Sequence, residues 1–191
     1  MMDWKKSFLE SSVLGRSTNK MCPSEVISKC IELAYLDMMT VGRYYSASFL
    51  NSKDEICTAV NRVIIDSNFV FSRNIIKEIS LLFCSEVIGS DNRYVTGFGL
   101  AQKLVNMTFK YLYVFSDLIF TDRSFPDFSL CDCPLDSIII KKAHIVDCVW
   151  SKLTEPQYLN CQLKITELLN AASLDLELLK LGNLAYDFIN W

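Results

Sequence analysis

Histidine, proline and glycine are scarce in this chain of 191 residues, at one, four and six. So few turn formers argue against a turn-rich β sandwich and for long helices. There is no excess of positive charge. The formal net charge is −3, which excludes a basic coat for nucleic acid and leaves such contact to a local patch. No apolar run reaches the roughly 18 uncharged residues that a membrane-spanning helix needs. The opening residues, "MMDWKKSFLESS", contain no apolar core of a secretory signal, so the chain is expected in the cytoplasm, without a membrane partner. The phosphate-binding loop and the dinucleotide fingerprint are both absent, because "TGFGLAQK" has the wrong spacing for either. The Arg-x4-6-His pattern of small helical ribonucleases is missing too, since His144 follows Lys-Lys-Ala.

Hydrophobic residues are plentiful. They make up 51% of the chain, enough for a sizeable core. Eight cysteines are present, at 22, 30, 57, 84, 131, 133, 148 and 161. In a reducing compartment they are expected to be free thiols. Most stand inside apolar runs, where cysteine acts as a small core residue.

Helical periodicity recurs along the chain. Residues 1–20 are polar and read as an N-terminal arm. Residues 21–191 read as a single helical domain, with room for two lobes and a cleft between them. Ser24 is placed to cap a helix carrying Ile27, Ile31, Ala34 and Met38 on one face. Ser52 and Glu55 form a capping box for the next. Ile75, Ile79, Leu82 and Phe83 share a face of a helix that stops at Gly89. A turn, "GSDNRYVTGFG", precedes a helix of about 20 residues. After an irregular connection over 116–134, Pro134 is expected in the first turn of a helix running from Leu135 to Val149. Two more helices follow, the second capped by Ser173. The expected fold is an all-α, compact helical domain of about seven to nine helices.

The helix at 98–115, "FGLAQKLVNMTFKYLYVF", is almost wholly apolar yet carries Gln102, Lys103, Asn106 and Lys110. Lys103 and Lys110 are seven residues apart and share an azimuth, with Asn106 between them. The plain expectation for such a stripe is the wet side of a core helix. A lysine on so apolar a helix must reach water or find a partner, because an unpaired buried charge is costly. Asp136, at the start of a later apolar helix, is the expected partner. Its charge there is favoured by the helix N-terminus.

A glycine-containing turn, a helix with a lysine near its start, and then Pro134-Leu135-Asp136 opening another helix occur in that order over residues 95–140. This order resembles the helix-hairpin-helix superfamily of DNA glycosylases, and within it the archaeal 8-oxoguanine glycosylase branch, whose helix carries a second Lys-aromatic pair, here Lys110-Tyr111. The resemblance implies a helix-hairpin-helix glycosylase-like fold and a base-excision activity with lyase chemistry. It implies that Lys103 attacks the sugar C1′ and that Asp136 stabilises the developing cation. A lysine nucleophile must be neutral, which an apolar pocket or a neighbouring cation such as Lys110 promotes. Gln102 or Asn106 would then read a base edge, and Tyr111, Tyr113 or Trp150 would stack on an extruded base. Lys103 stands four residues after Gly99, farther than in the usual hairpin, and the four-cysteine iron–sulfur motif of some glycosylases is absent. The string "AQKLVNMTFKYLY…CPLDS" is also similar to uncharacterised bacterial and phage proteins of about this size.

Cys131, Cys133, His144 and Cys148 form C-x-C-x10-H-x3-C. The close CxC spacing departs from common zinc sites, so neither a metal nor another cofactor is expected. Two functions follow. The first is a DNA glycosylase or lyase acting through Lys103 and Asp136. The second is a non-catalytic helical module whose polar stripe, with Gln102, Asn106, Lys110, Tyr111 and Trp150, holds a nucleotide or a partner chain, in a setting of phage–host conflict. Charge balance favours the second, and the Lys…Pro-x-Asp order favours the first.

Overall fold

Thr96 and two glycines start the helix around which the other elements gather. Thr96 has an extended backbone, and its Oγ1 accepts the Gly99 N–H at 2.9 Å. From there 18 residues, Gly97–Val114, run as one helix, and fourteen of them are buried. A helix apolar on nearly every side belongs in the middle of a bundle. The computed structural model describes residues 21–39, 51–83, 96–121 and 125–190. The expected N-terminal arm and Gly89 lie outside the described residues.

In chain order the helices are α1 (Pro23–Met38), α2 (Lys53–Asp66), α3 (Arg73–Ser80), α4 (Gly97–Val114), α5 (Ser116–Ile119), α6 (Ser137–Lys142), α7 (Glu155–Ala171), α8 (Leu176–Leu179) and α9 (Leu184–Asn190). A 3-10 turn, Trp150–Lys152, precedes α7. The fold is all-α, as expected, with nine helices and no sheet among the described residues. Helix α4 packs against α1, α3 and the 3-10 turn. One apolar cluster joins residues of α1 to α4, α6, α7 and α9.

Several boundaries differ from expectation, each for a local reason. Cys22, not Ser24, caps α1, and its N–H is held by Glu25 Oε2 at 2.9 Å. Ser52 and Glu55 do form the capping box of α2. Asn68 and Phe69 take positive φ, which separates α2 from α3, and Ser72 starts the latter. The last apolar stretch divides in two. Asp175, not Ser173, caps α8. Gly182 then breaks the path before α9 at φ 55°, where a Cβ would lie 2.1 Å from the Ser129 carbonyl oxygen.

The largest departure is α6. A helix was expected from Leu135 to Val149, but only Ser137–Lys142 is helical. Leu135 cannot join it, because its N–H and C=O are both engaged by α4. At the far end, the His144 N–H donates to Lys141 O at 3.1 Å and the Ile145 N–H to Ile140 O at 3.0 Å. With His144 at φ 51°, this is a Schellman stop, histidine occupying the left-handed position usually held by glycine.

Candidate functional site

Helix α4 is set tightly against the 3-10 turn. The Thr96 N–H donates to Ser151 O at 2.8 Å, and its hydroxyl donates to Leu153 O at 2.5 Å. Gly99 allows the approach, since a Cβ there would sit 2.7 Å from Trp150 O. This contact brings the Trp150 ring over the next turn of α4. Lys103 Nζ lies 4.8 Å from that ring's centroid.

Lys103 Nζ is also 3.5 Å from Asp136 Oδ2, so the expected pair meets. Asp136 is the N-cap of α6, and its Oδ1 accepts the N–H groups of Ile138 and Ile139, both at 2.9 Å. Lys103 is only 7% exposed. Seven residues on, Lys110 is buried as well and forms an ion pair with Asp187 of α9, itself buried. Burial pushes the Asp187 carboxyl above its ordinary range, and the Lys110 charge opposes that shift. The two lysines are therefore matched by two aspartates from later elements. Cys133 lies in the field of this cluster. Its thiol is pushed well up, first by burial and then by Asp187 and Asp136.

The two amides of the stripe are internal. Gln102 has no exposed surface. Its Nε2 donates to Leu135 O at 2.9 Å, and its Oε1 accepts the Leu135 N–H at 3.2 Å. On α7, Gln162 does the same to Cys133: Nε2 donates to Cys133 O at 2.7 Å, and Oε1 accepts the Cys133 N–H at 3.0 Å. Two side-chain amides thus stand in for the neighbouring strand that the extended segment 133–135 lacks. Pro134, between them, has no N–H to satisfy. Asn106, also without exposed surface, donates from Nδ2 to the Tyr158 hydroxyl at 2.8 Å. That hydroxyl donates to Asp132 Oδ2 at 2.9 Å, and Arg73 grips the same carboxylate through Nε at 2.6 Å and Nη2 at 2.9 Å. A continuous polar spine therefore runs from α3 through Asp132 and Tyr158 into α4.

Trp150 joins Lys103 and Asp136, whereas Tyr111 does not. Its hydroxyl donates to Asp37 of α1 at 2.5 Å. Tyr113 packs edge-on against Phe128 and Phe188 near the end of α4. The expectation that the stripe is the wet side of α4 is corrected: all four of its polar residues are buried. Asp132, Tyr158, Gln162 and Asp187 were not anticipated. Gln162 carried the one usable signal, an amide on the face of α7 that also presents Tyr158 and Ile165.

Among the described residues, no three His, Cys, Asp or Glu side chains converge to hold a metal ion. Of the C-x-C-x10-H-x3-C set, Cys131 and Cys133 are buried while His144 is exposed. No described helix is long and apolar enough to cross a membrane. No family model matches the chain, and neither a curated protein nor a solved structure shows significant similarity to it.

Proposed function

We propose that the chain is a non-catalytic helical binding module in which the 102–110 stripe is internal framework. The observation that carries this reading is the complete burial of Gln102 and Asn106. An amide that reads a base must present its edge to the ligand. Gln102 instead spends both groups on Leu135, and releasing them would leave a buried N–H and C=O unpaired. Recognition of a nucleotide or partner chain then falls to the surface.

A second reading is the glycosylase-like enzyme with lyase chemistry. It is favoured by one observation, the 3.5 Å approach of Lys103 Nζ to Asp136. In that reading Lys103 attacks C1′ of a sugar and Asp136 supports the cation that forms. DNA is then the partner, and Trp150 the stacking ring.

Borohydride trapping on DNA containing an abasic site separates the two. The binding reading expects no covalent adduct. An adduct that forms with the wild-type chain and is lost in Lys103→Ala overturns it and upholds the enzyme.

A further inference from the structure

Cys148 and Cys161 stand 13 positions apart in the chain, and their sulfurs lie 3.7 Å from each other. Both are free thiols, set on unlike elements. Cys161 is buried within the regular helix α7. Cys148 is half-buried in the irregular stretch between α6 and the 3-10 turn. His144 and Asp147 both take positive φ there, at 51° and 55°. Among the described residues, none of the N–H groups of 146–149 donates to a backbone carbonyl. The stretch is held at its two ends and has no ladder of its own, so it can shift without breaking a backbone hydrogen bond. A disulfide brings its sulfurs to about 2 Å. Side-chain rotation with a small movement of 146–149 closes the gap from 3.7 Å.

Exposure gives the two thiols different roles. Cys148 is open to a small reagent, whereas Cys161 is 5% exposed and is reached through Cys148. Burial pushes both thiols up, Cys161 to about 12, and the hydrogen bond between them favours the thiolate at Cys148.

We infer that Cys148 and Cys161 are a reversible redox pair, oxidised by exchange with a low-molecular-weight disulfide, and that the bond fastens the entry of the 3-10 turn to α7. The Cys148 thiolate attacks one sulfur of the reagent, whose S–S bond breaks to release a first thiol. The Cys161 sulfur then attacks the Cys148 sulfur of the mixed disulfide. The protein S–S bond forms and the second thiol leaves. The chain gives up two electrons and two protons, and both released thiols carry them away. Excess thiol runs the same steps backwards. The bond acts close to the candidate site, because Cys148 is two residues before Trp150, whose ring lies over Lys103. The turn itself is closed by the Lys152 N–H donating to Val149 O at 2.8 Å. The inference holds whether the Lys103 site binds or catalyses.

The test equilibrates the full chain in buffers of graded glutathione to glutathione disulfide ratio, quenches with acid and maps tryptic peptides. Trypsin cuts after Lys142, Lys152 and Lys164, so the two cysteines fall in separate peptides with no other cysteine, and only the disulfide joins them. The joined peptides are expected from the folded chain at a ratio about tenfold more reducing than from the chain unfolded in urea. In the oxidised chain the Lys152 amide should exchange more slowly, and the urea midpoint should rise. In Cys148→Ser both gains should vanish and Cys161 should stay reduced. The wild-type map decides the inference by itself if that variant folds poorly. Absence of the joined peptides, a Cys148–glutathione adduct as the end product, or the same ratio for folded and unfolded chain overturns the inference. So does Lys152 exchange that ignores oxidation, since the bond would then leave the 3-10 turn untouched.

Discussion

Asp136 divides its carboxylate between two tasks: Oδ1 closes the first turn of α6, and Oδ2 faces Lys103 Nζ at 3.5 Å. One side chain therefore starts a helix and ties it to the central one. Replacing Asp136 by Ala removes the cap, worth about 1 kcal/mol, and leaves Lys103 without its partner in a nearly closed site. The combined loss should reach about 3 kcal/mol. Asp136→Ser restores only the cap, so it should recover about 1 kcal/mol of that. Urea unfolding of the two variants reads both parts, and equal stability of Ala and Ser would show that the cap contributes nothing.

Lys110 and Asp187 are the deeper pair, and they fasten α9 to α4. Lys110→Met leaves a buried carboxylate alone and should cost about 3–5 kcal/mol. The double change Lys110→Met with Asp187→Leu removes both charges together. It should restore most of that loss, because a buried pair contributes little beyond the cost of its own desolvation. A double change as unstable as the single one would mean that the ion pair itself holds α9 in place.

The all-α class was legible because apolar residues recur at helical spacing in each long segment. The Lys103–Asp136 meeting was legible because a charge on an apolar helix needs a counter-charge. The stripe's burial was not. A polar stripe looks the same from sequence whether it faces water or a second polar layer, and Gln102 needs Leu135, 33 positions away. The length of α6 was hidden for a related reason. "LDSIIIKKAHIVDCV" has helical periodicity, but its ends are decided by Gln102 holding Leu135 and by His144 taking a left-handed backbone. The first cause lies 33 positions away, and the second is a backbone conformation that apolar spacing does not register.

The clamp on segment 133–135 gives a residue-level test. Gln102→Met keeps the volume but abandons the N–H and C=O of Leu135. Each unmet group costs about 1–3 kcal/mol. The Leu135 amide should lose its protection from hydrogen exchange, while Cys133, held by Gln162, keeps more of its own. Uniform loss across both amides would mean that the segment is clamped as one unit.

Gly99→Ala tests the seat of α4 on the 3-10 turn. The new Cβ would lie 2.7 Å from Trp150 O and 2.8 Å from Ser151 C, both backbone atoms, so one element must move. Helix propensity alone favours Ala by about 1 kcal/mol. A net loss of stability therefore means that the contact outweighs it. The readout is tryptophan fluorescence with thermal unfolding, and a stabilised variant would show that the turn yields freely.

Alkali should weaken the fold, and the sign follows from the thiols. Burial pushes the Cys57 thiol up to about 11 and the Cys161 thiol up to about 12, from an ordinary value of 9.0. Cys133 and Tyr158 are also raised, chiefly by burial. In the unfolded chain these groups lose their protons at ordinary values, while the folded chain keeps them. Where folding raises a pKa, the unfolded state binds fewer protons in the interval between the two values, so stability falls as pH rises. The contribution is complete below about pH 9 and is lost as pH climbs toward about 12. The urea midpoint should be level from about pH 7 to about pH 8.5 and then decline. In Cys161→Ala the decline should be shallower, because one group that drives it is gone. A midpoint unchanged at about pH 10.5 would mean that these thiols are in contact with water in the native protein, and the buried placement of Cys133 beside the Lys103–Asp136 and Lys110–Asp187 pairs would fall with it.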